Sequence, residues 1–171
     1  VVMIGQVFAA PVRALIAFGS VGSKVVEGYQ ASYALLIGVS RYTSGWPKLE
    51  SIPKEMAEIE AALKSQGFKI TQVMDPDGDE LEDAFEDFID EYGYTPGNRL
   101  LFFFTGHGHS REDGMGYLVP ADAPDPRKDQ GGFYRRVLSM SRIMTWCREM
   151  TATHALFLFD SCFSGTIFKA K

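Results

Sequence analysis

Two residues of this sequence have the types and surroundings for covalent chemistry: Cys162, in Phe157-Leu-Phe-Asp160-Ser161-Cys162-Phe163-Ser164-Gly165, and His107, in Thr105-Gly106-His107-Gly108. A thiol near its ordinary pKa of about 8.5 is mostly protonated at neutral pH, so a nucleophilic cysteine needs a base or a positive neighbour to supply thiolate. Imidazole does this and can later protonate a leaving group. Acyl transfer also needs backbone N–H donors open to the developing oxyanion, and small residues let a substrate approach; the amides of Gly108 and Cys162 are the candidates. Cys147, in Thr145-Trp146-Cys147-Arg148 on a predicted helix, reads instead as a small buried hydrophobe. His154 opens a predicted strand and His109 lies in a polar stretch, so neither is placed in the chemistry.

The two residues are 55 positions apart (162 minus 107), and each follows an apolar run of five, Leu100–Phe104 and Ala155–Phe159. Such runs are too short for helices and too uniformly apolar for a half-exposed sheet. They read as strands buried on both faces of a parallel sheet. In open α/β sheets reactive groups gather outside the carboxyl ends of the strands, where His107 and Cys162 would meet if the two strands are neighbours.

The rest of the chain supplies the frame. Tyr33–Val39 reads as the first buried strand, followed by a loop over 41–52 that Gly45-Trp46-Pro47 punctuates. A helix is predicted from Pro53, with Met56, Ile59, Ala62 and Leu63 on one face, stopping at Gly67. Phe68–Met74 alternates as a strand nearer the sheet edge, Asp79–Glu91 is a helix, and Arg99–Thr105 leads to His107. The stretch 109–132 reads as a long substrate-shaping loop in which only Tyr117–Val119 is strand-like. Ser139–Met150 is a helix and His154–Asp160 the last strand. Alternating strands and helices call for parallel strands with right-handed crossovers. This count leaves an apolar last strand at an edge, which is a liability and points to further polypeptide beside it.

With 171 residues, 46% of them hydrophobic, the sequence describes one α/β domain of ordinary core size. Net charge is −5, and 75–91 holds ten acids and no base; most form the solvent face of a helix whose apolar stripe is Leu81, Ala84, Phe85, Phe88 and Ile89. A nucleic-acid partner is therefore not expected. Asp75-Pro76-Asp77-Gly78-Asp79 has its glycine at the fourth position, where a calcium-binding EF-hand needs it at the sixth, so it reads as a turn and helix start. Two cysteines at unrelated positions make no disulfide framework, and a free nucleophilic thiol favours a reducing, cytoplasmic setting. Residues 1–30 are apolar, rich in Gly and Ala, and interrupted by Gln6, Pro11, Arg13 and Lys24. They fall short of the roughly 18 to 20 uninterrupted apolar residues of a membrane span; a signal-peptide remnant, a membrane-surface helix and a docking or packing segment for a regulatory partner are the open readings, of which the last is preferred.

From Tyr33 to Gly165 the sequence resembles the large (p20-type) subunit of caspase-like cysteine peptidases of family C14, and is most similar to metacaspases and bacterial caspase homologues. The motifs that carry the resemblance are Tyr33-Ala-Leu-Leu-Ile-Gly-Val39, Thr105-Gly-His-Gly108, Tyr117-Leu-Val-Pro-Ala-Asp122 and Asp160-Ser-Cys-Phe-Ser-Gly165. It implies a three-layer sandwich around a mostly parallel sheet of about four main strands, residues 31–171 forming the large-subunit portion. A small (p10-like) segment or chain would complete that sheet. It also implies catalytic roles for His107 and Cys162.

Asp160 stands where animal caspases carry glutamine, as in metacaspases, whose acid there lines a pocket for arginine or lysine; Coulomb attraction in a partly dry pocket has the same sense. The other pocket groups implied for the first specificity site are Thr105 and Glu55. Glu55 departs from the family's usual Asp, and Ile52 from its usual Cys. Many metacaspases need calcium. Asp122 matches one acid of such a site, but Lys169 stands at the position seven after the cysteine, so no cofactor is expected and Asp122 is only a weak calcium candidate. The implied activity is an endopeptidase cutting protein substrates after Arg or Lys, a zymogen activated by cleavage or by a partner; Lys171 fits a processing site. Two other readings are a non-catalytic caspase-like scaffold and a cysteine hydrolase with a non-peptide acyl substrate.

Overall fold

In the computed structural model, which describes residues 14–19 and 28–161, the chain runs β1 (Ala14–Gly19), β2 (Ala31–Gly38), α1 (Ile52–Ser65), β3 (Lys69–Met74), α2 (Gly78–Tyr92) and β4 (Asn98–Thr105), then β5 (Gly108–Ser110), β6 (Gly116–Leu118), α3 (Gln130–Arg136), β7 (Leu138–Ser139), α4 (Met140–Glu149) and β8 (His154–Asp160). The main sheet has the order β1-β8-β4-β2-β3, with β8, β4, β2 and β3 mutually parallel. The four strands read from the apolar runs are all present, and the two that lead to His107 and Cys162 are neighbours.

The apolar runs are continuous because both faces of the sheet are covered. Leu35, Ile37, Phe102, Phe104, Phe157 and Phe159 pack with Leu81 and Phe85 of α2 and Ile143 and Trp146 of α4. Ala34, Leu36, Leu101 and Phe103 face Ile52 and Met56 of α1, with Leu156 and Leu158 half-buried beside them. The result is the expected three-layer α/β sandwich. Between the central strands, Phe102 stacks on Phe157 with ring centroids 4.1 Å apart.

Local signals place the helices. Asp77 caps α2 by accepting the N–H of Glu80, whose side chain accepts the N–H of Asp77 in return, which satisfies two otherwise orphaned donors. The acids of this helix stay outside while Leu81, Phe85, Phe88 and Ile89 are buried. Ser139 caps α4 by accepting the N–H of Arg142. Pro53 lies in the first turn of α1. That turn closes on the end of β2 at Gly38, where an added Cβ would lie 3.0 Å from side-chain atoms of Ile52, Met56 and Met74.

Two expectations are corrected. The last strand is not left at an edge: β1 of this same chain pairs with it antiparallel, Ala14 opposite Phe159 through Gly19 opposite His154. Composition alone could not show this, because a short Gly- and Ala-rich apolar segment carries little strand signal. The stretch 109–132 is not one loop either. β5 and β6 form a hairpin, β7 adds to it as a second small antiparallel sheet, and α3 starts at Gln130. Three-residue strands leave almost no periodicity to read.

Replacing Asp77 by Ala removes the capping box and is expected to cost about 1 kcal/mol. A thermal melt of Asp77→Ala should show a midpoint lower by about 3 °C in a chain of this size.

Candidate active site

Parallel pairing brings three strand ends level. Gly38 is in register with Thr105, and Thr105 with Asp160. The backbone continues the alignment: the N–H of Val39 donates to the carbonyl of Thr105 at 2.9 Å, and that of Gly106 to the carbonyl of Asp160 at 3.3 Å. His107 follows Thr105 by two residues, and in the sequence Cys162 follows Asp160 by two, so the strands that lead to the two reactive residues end level with each other. Cys162 itself lies outside the described residues.

His107 is held by the loop that follows β2. Its backbone N–H donates to the hydroxyl of Tyr42 at 2.7 Å, and its carbonyl accepts the N–H of Val119 at 3.1 Å. The imidazole Nε2 lies 2.9 Å from the carbonyl oxygen of Pro47. A carbonyl can only accept, so Nε2 carries the proton and Nδ1 is the basic nitrogen of the neutral ring. The rings of Tyr42 and Trp46 flank the imidazole, at centroid distances of 4.7 and 5.2 Å. Gly106 is required here, because a Cβ would stand 2.9 Å from the Tyr42 hydroxyl and 3.0 Å from the Phe104 ring. Burial pushes the Tyr42 phenol above its ordinary pKa, with the charge of Asp75 acting in the same sense and the hydrogen bond from His107 against it.

Asp75 anchors that loop from the end of β3. Its carboxylate accepts the backbone N–H groups of Ser40 and Arg41, at 2.7 and 2.8 Å, and the Arg41 Nε–H at 2.8 Å. Burial pushes the Asp75 carboxyl upward, but the hydrogen bonds from Arg41 and Ser40 together outweigh it and hold the group below the usual carboxylate range. Its backbone has a φ of 53°, a left-handed conformation in which Asp and Asn are the least strained side chains after glycine.

The family model described as "Caspase domain" matches residues 31–171. The chain belongs to the caspase-domain family. It is similar to mucosa-associated lymphoid tissue lymphoma translocation protein 1 of Homo sapiens and to the homolog of that protein in Mus musculus, each 28% identical over 129 residues. The matches cover 75% of this chain but 15% and 14% of the two proteins, so the chain spans a small part of the curated relatives it matches.

Within this caspase domain the remaining sequence-read residues fall as follows. Thr105 is buried and Asp160 half-buried, side by side at the ends of β4 and β8. Both share strand parity with Phe103 and Leu158, which face α1. Glu55 is half-buried in the first turn of α1, the turn that closes on Gly38 in the same row. Gly108 begins β5 opposite Leu118. Asp122 accepts the N–H of Gly78 at 3.0 Å and pairs with the guanidinium of Arg136 at 3.2 Å, so a cation there would compete with an arginine. Among the described residues no three His, Cys, Asp or Glu side chains cluster to hold a metal ion, and no helix is long and apolar enough to cross a membrane. His109 packs edge-on against Phe133 at 4.9 Å. His154 is at the far end of the sheet, its Nδ1 3.0 Å from the Tyr29 hydroxyl.

Tyr42, Trp46, Pro47 and Asp75 were not read from the sequence as site residues. Pro47 contributes a backbone carbonyl, which every residue has, and Trp46 looked like loop punctuation. The available signal was position: their loop leaves the carboxyl end of a buried parallel strand.

Two predictions follow from these environments. Because the folded carboxyl of Asp75 is held low, its contribution is present above the ordinary carboxylate pKa of about 4 and is lost as pH falls through its lower folded value. The stability gap between wild type and Asp75→Asn, measured by chemical denaturation, should therefore be largest near neutrality and close on acidification below about pH 4. Cys147 is 7% exposed, and burial pushes its thiol up to about 12. Mass spectrometry after iodoacetamide treatment at neutral pH should find it unmodified in the native protein and modified in denaturant; rapid native labelling would contradict that burial.

Proposed function

We propose that this chain is the large-subunit part of a cysteine endopeptidase that cleaves proteins after Arg or Lys. The observation that carries the reading is the His107 imidazole fixed by the Pro47 carbonyl at 2.9 Å, at the end of a strand in register with the one leading to Cys162. A histidine whose Nε2–H is engaged keeps Nδ1 for proton transfer, and a positioned base is what a cysteine nucleophile requires.

In this mechanism the Cys162 thiolate attacks the scissile carbonyl carbon, and the oxyanion is met by the N–H groups of Gly108 and Cys162. The imidazolium of His107 gives its proton to the departing amine as the C–N bond breaks. Neutral His107 then takes a proton from water, which attacks the thioester, and returns it to the sulfur as the acid product leaves. Asp160, with Thr105 and Glu55 near the same rim, supplies the charge that selects a guanidinium or ammonium in the first pocket. No cofactor enters these steps, and Asp122 is engaged by Arg136 in this state. Activation is by cleavage or partner binding in the reducing cytoplasm; a small-subunit segment or chain adding strands beyond β8 would take the edge that Ala14–Gly19 covers in this state, and the rest of residues 1–30 serve a regulatory contact.

The test is turnover of fluorogenic peptides ending in Arg, Lys or Asp, with and without calcium, by the chain together with whatever polypeptide follows Lys171. Cleavage of the basic peptides alone is expected, falling at least about a thousandfold in Cys162→Ala and in His107→Ala. Turnover indifferent to a basic residue would favour a different cysteine hydrolase. Silence on all three peptides, with Cys162 no more reactive than Cys147, would favour a scaffold.

A further inference from the structure

We propose that Trp46, together with Tyr42, is a positioning residue that favours the imidazolium form of His107 and thereby raises the thiolate fraction of Cys162; this rests on the reading of His107 and Cys162 as a catalytic pair. The proton transfer is internal to that pair. The S–H bond of Cys162 breaks, a proton joins His107 Nδ1, and a thiolate and an imidazolium result. Whatever attracts the cation draws the proton across.

Three groups on one loop meet this ring. The Pro47 carbonyl takes the Nε2–H at 2.9 Å, and the Tyr42 and Trp46 rings stand 4.7 and 5.2 Å away at interplanar angles of 49° and 36°. Both distances are inside the range of about 6 Å over which an aromatic face attracts a cation. Trp46 is held by two further contacts: its ring stacks on Phe133 at 6.1 Å and its Nε1–H donates to the Pro124 carbonyl at 3.4 Å. These two contacts hold the indole beside the imidazole when the imidazole gains charge.

Among the described residues, four elements bring titratable or charged groups to the surroundings of His107. The loop contributes Tyr42, kept neutral by burial, Arg41, whose guanidinium is paired with Asp75, and Lys48 and Glu50, both exposed to solvent. Asp75 acts from the end of β3 through Tyr42. β5 contributes His109, turned toward Phe133 and Tyr117. β8 contributes Asp160, whose backbone carbonyl holds Gly106, and leads on to Cys162. Asp160 is a negative charge at the adjacent strand end, so Trp46 has to be separated from it by a variant that leaves every charge in place.

Trp46→Leu keeps apolar volume without a π face, and Trp46→Phe keeps a face without the N–H. The experiment measures iodoacetamide alkylation of Cys162 against pH by mass spectrometry, with Cys147 as the internal control. Trp46→Leu is expected to label Cys162 about fivefold more slowly at neutral pH, the scale of one such contact. Its profile should shift to higher pH and rejoin wild type once the free thiol ionises, above about pH 8.5. Trp46→Phe should stay close to wild type.

A loss in Trp46→Leu that is equal at every pH, or no loss, would overturn the proposal in favour of simple packing. A wild type whose Cys162 labels no faster than Cys147 would instead sink the catalytic pair itself, and the proposal with it. If Trp46→Leu does not fold, the emission of Trp46 in a Trp146→Phe background decides the matter. It should fall as His107 gains its proton and lose that response in His107→Gln; emission indifferent to His107 would overturn the proposal.

Discussion

Parallel register is the constraint on which the rest of this molecule depends. Gly38, Thr105 and Asp160 end three neighbouring strands in one row, and everything of chemical interest hangs from that row. A parallel ladder sets each strand's height through evenly spaced hydrogen bonds, and a slip of one residue would turn Phe102, Phe104, Phe157 and Phe159 out of the core shared with α2 and α4. The energy that fixes the register is thus the burial of the aromatic face, remote from the site. The row at the rim is its consequence.

What the register cannot do is orient a side chain that has left the strand. The loop after β2 does this for His107, and its grip is polar where the sheet's is apolar. Asp75 ties down Ser40 and Arg41, Tyr42 receives the His107 N–H, and Pro47 receives the ring. Each contact is directional, so together they select one tautomer and one ring plane in a way that hydrophobic packing alone could not. The left-handed backbone of Asp75 is the local cost of aiming its carboxylate across at the neighbouring loop. The absence of a side chain at Gly106 lets the strand end lie against Tyr42 and Phe104.

The outer side of β8 shows a different solution to a different problem. An apolar strand with an open edge invites pairing with other chains, and here Ala14–Gly19 closes that edge antiparallel. The direction follows from the connection. Gly19 lies opposite His154, at the amino end of β8, and the chain must reach Ala31, at the same end of β2. Tyr29 sits along this route, its hydroxyl on His154 and its ring under the Arg99 guanidinium at 4.8 Å. Closure of the sheet and its amino-terminal rim are therefore built from the same stretch.

By itself the sequence determined the four main strands and the three main helices, because these rest on local pattern: continuous apolar runs, the apolar stripe from Leu81 to Ile89, a proline at the start of α1; that the histidine strand neighbours the cysteine strand was decided by the sheet. The sequence also determined that Asp160 and Thr105 belong to the rim, since two-residue spacing before Cys162 and His107 is a sequence fact. Only the tertiary structure decided what holds His107, for Pro47 acts through a backbone oxygen, Tyr42 through a hydroxyl that any loop tyrosine carries, and Asp75 from a strand end 32 residues before the histidine (107 minus 75). Only it decided that β1 covers β8 and that 108–118 folds into a hairpin, because short strands draw their stability from partners far along the chain and leave little periodicity of their own.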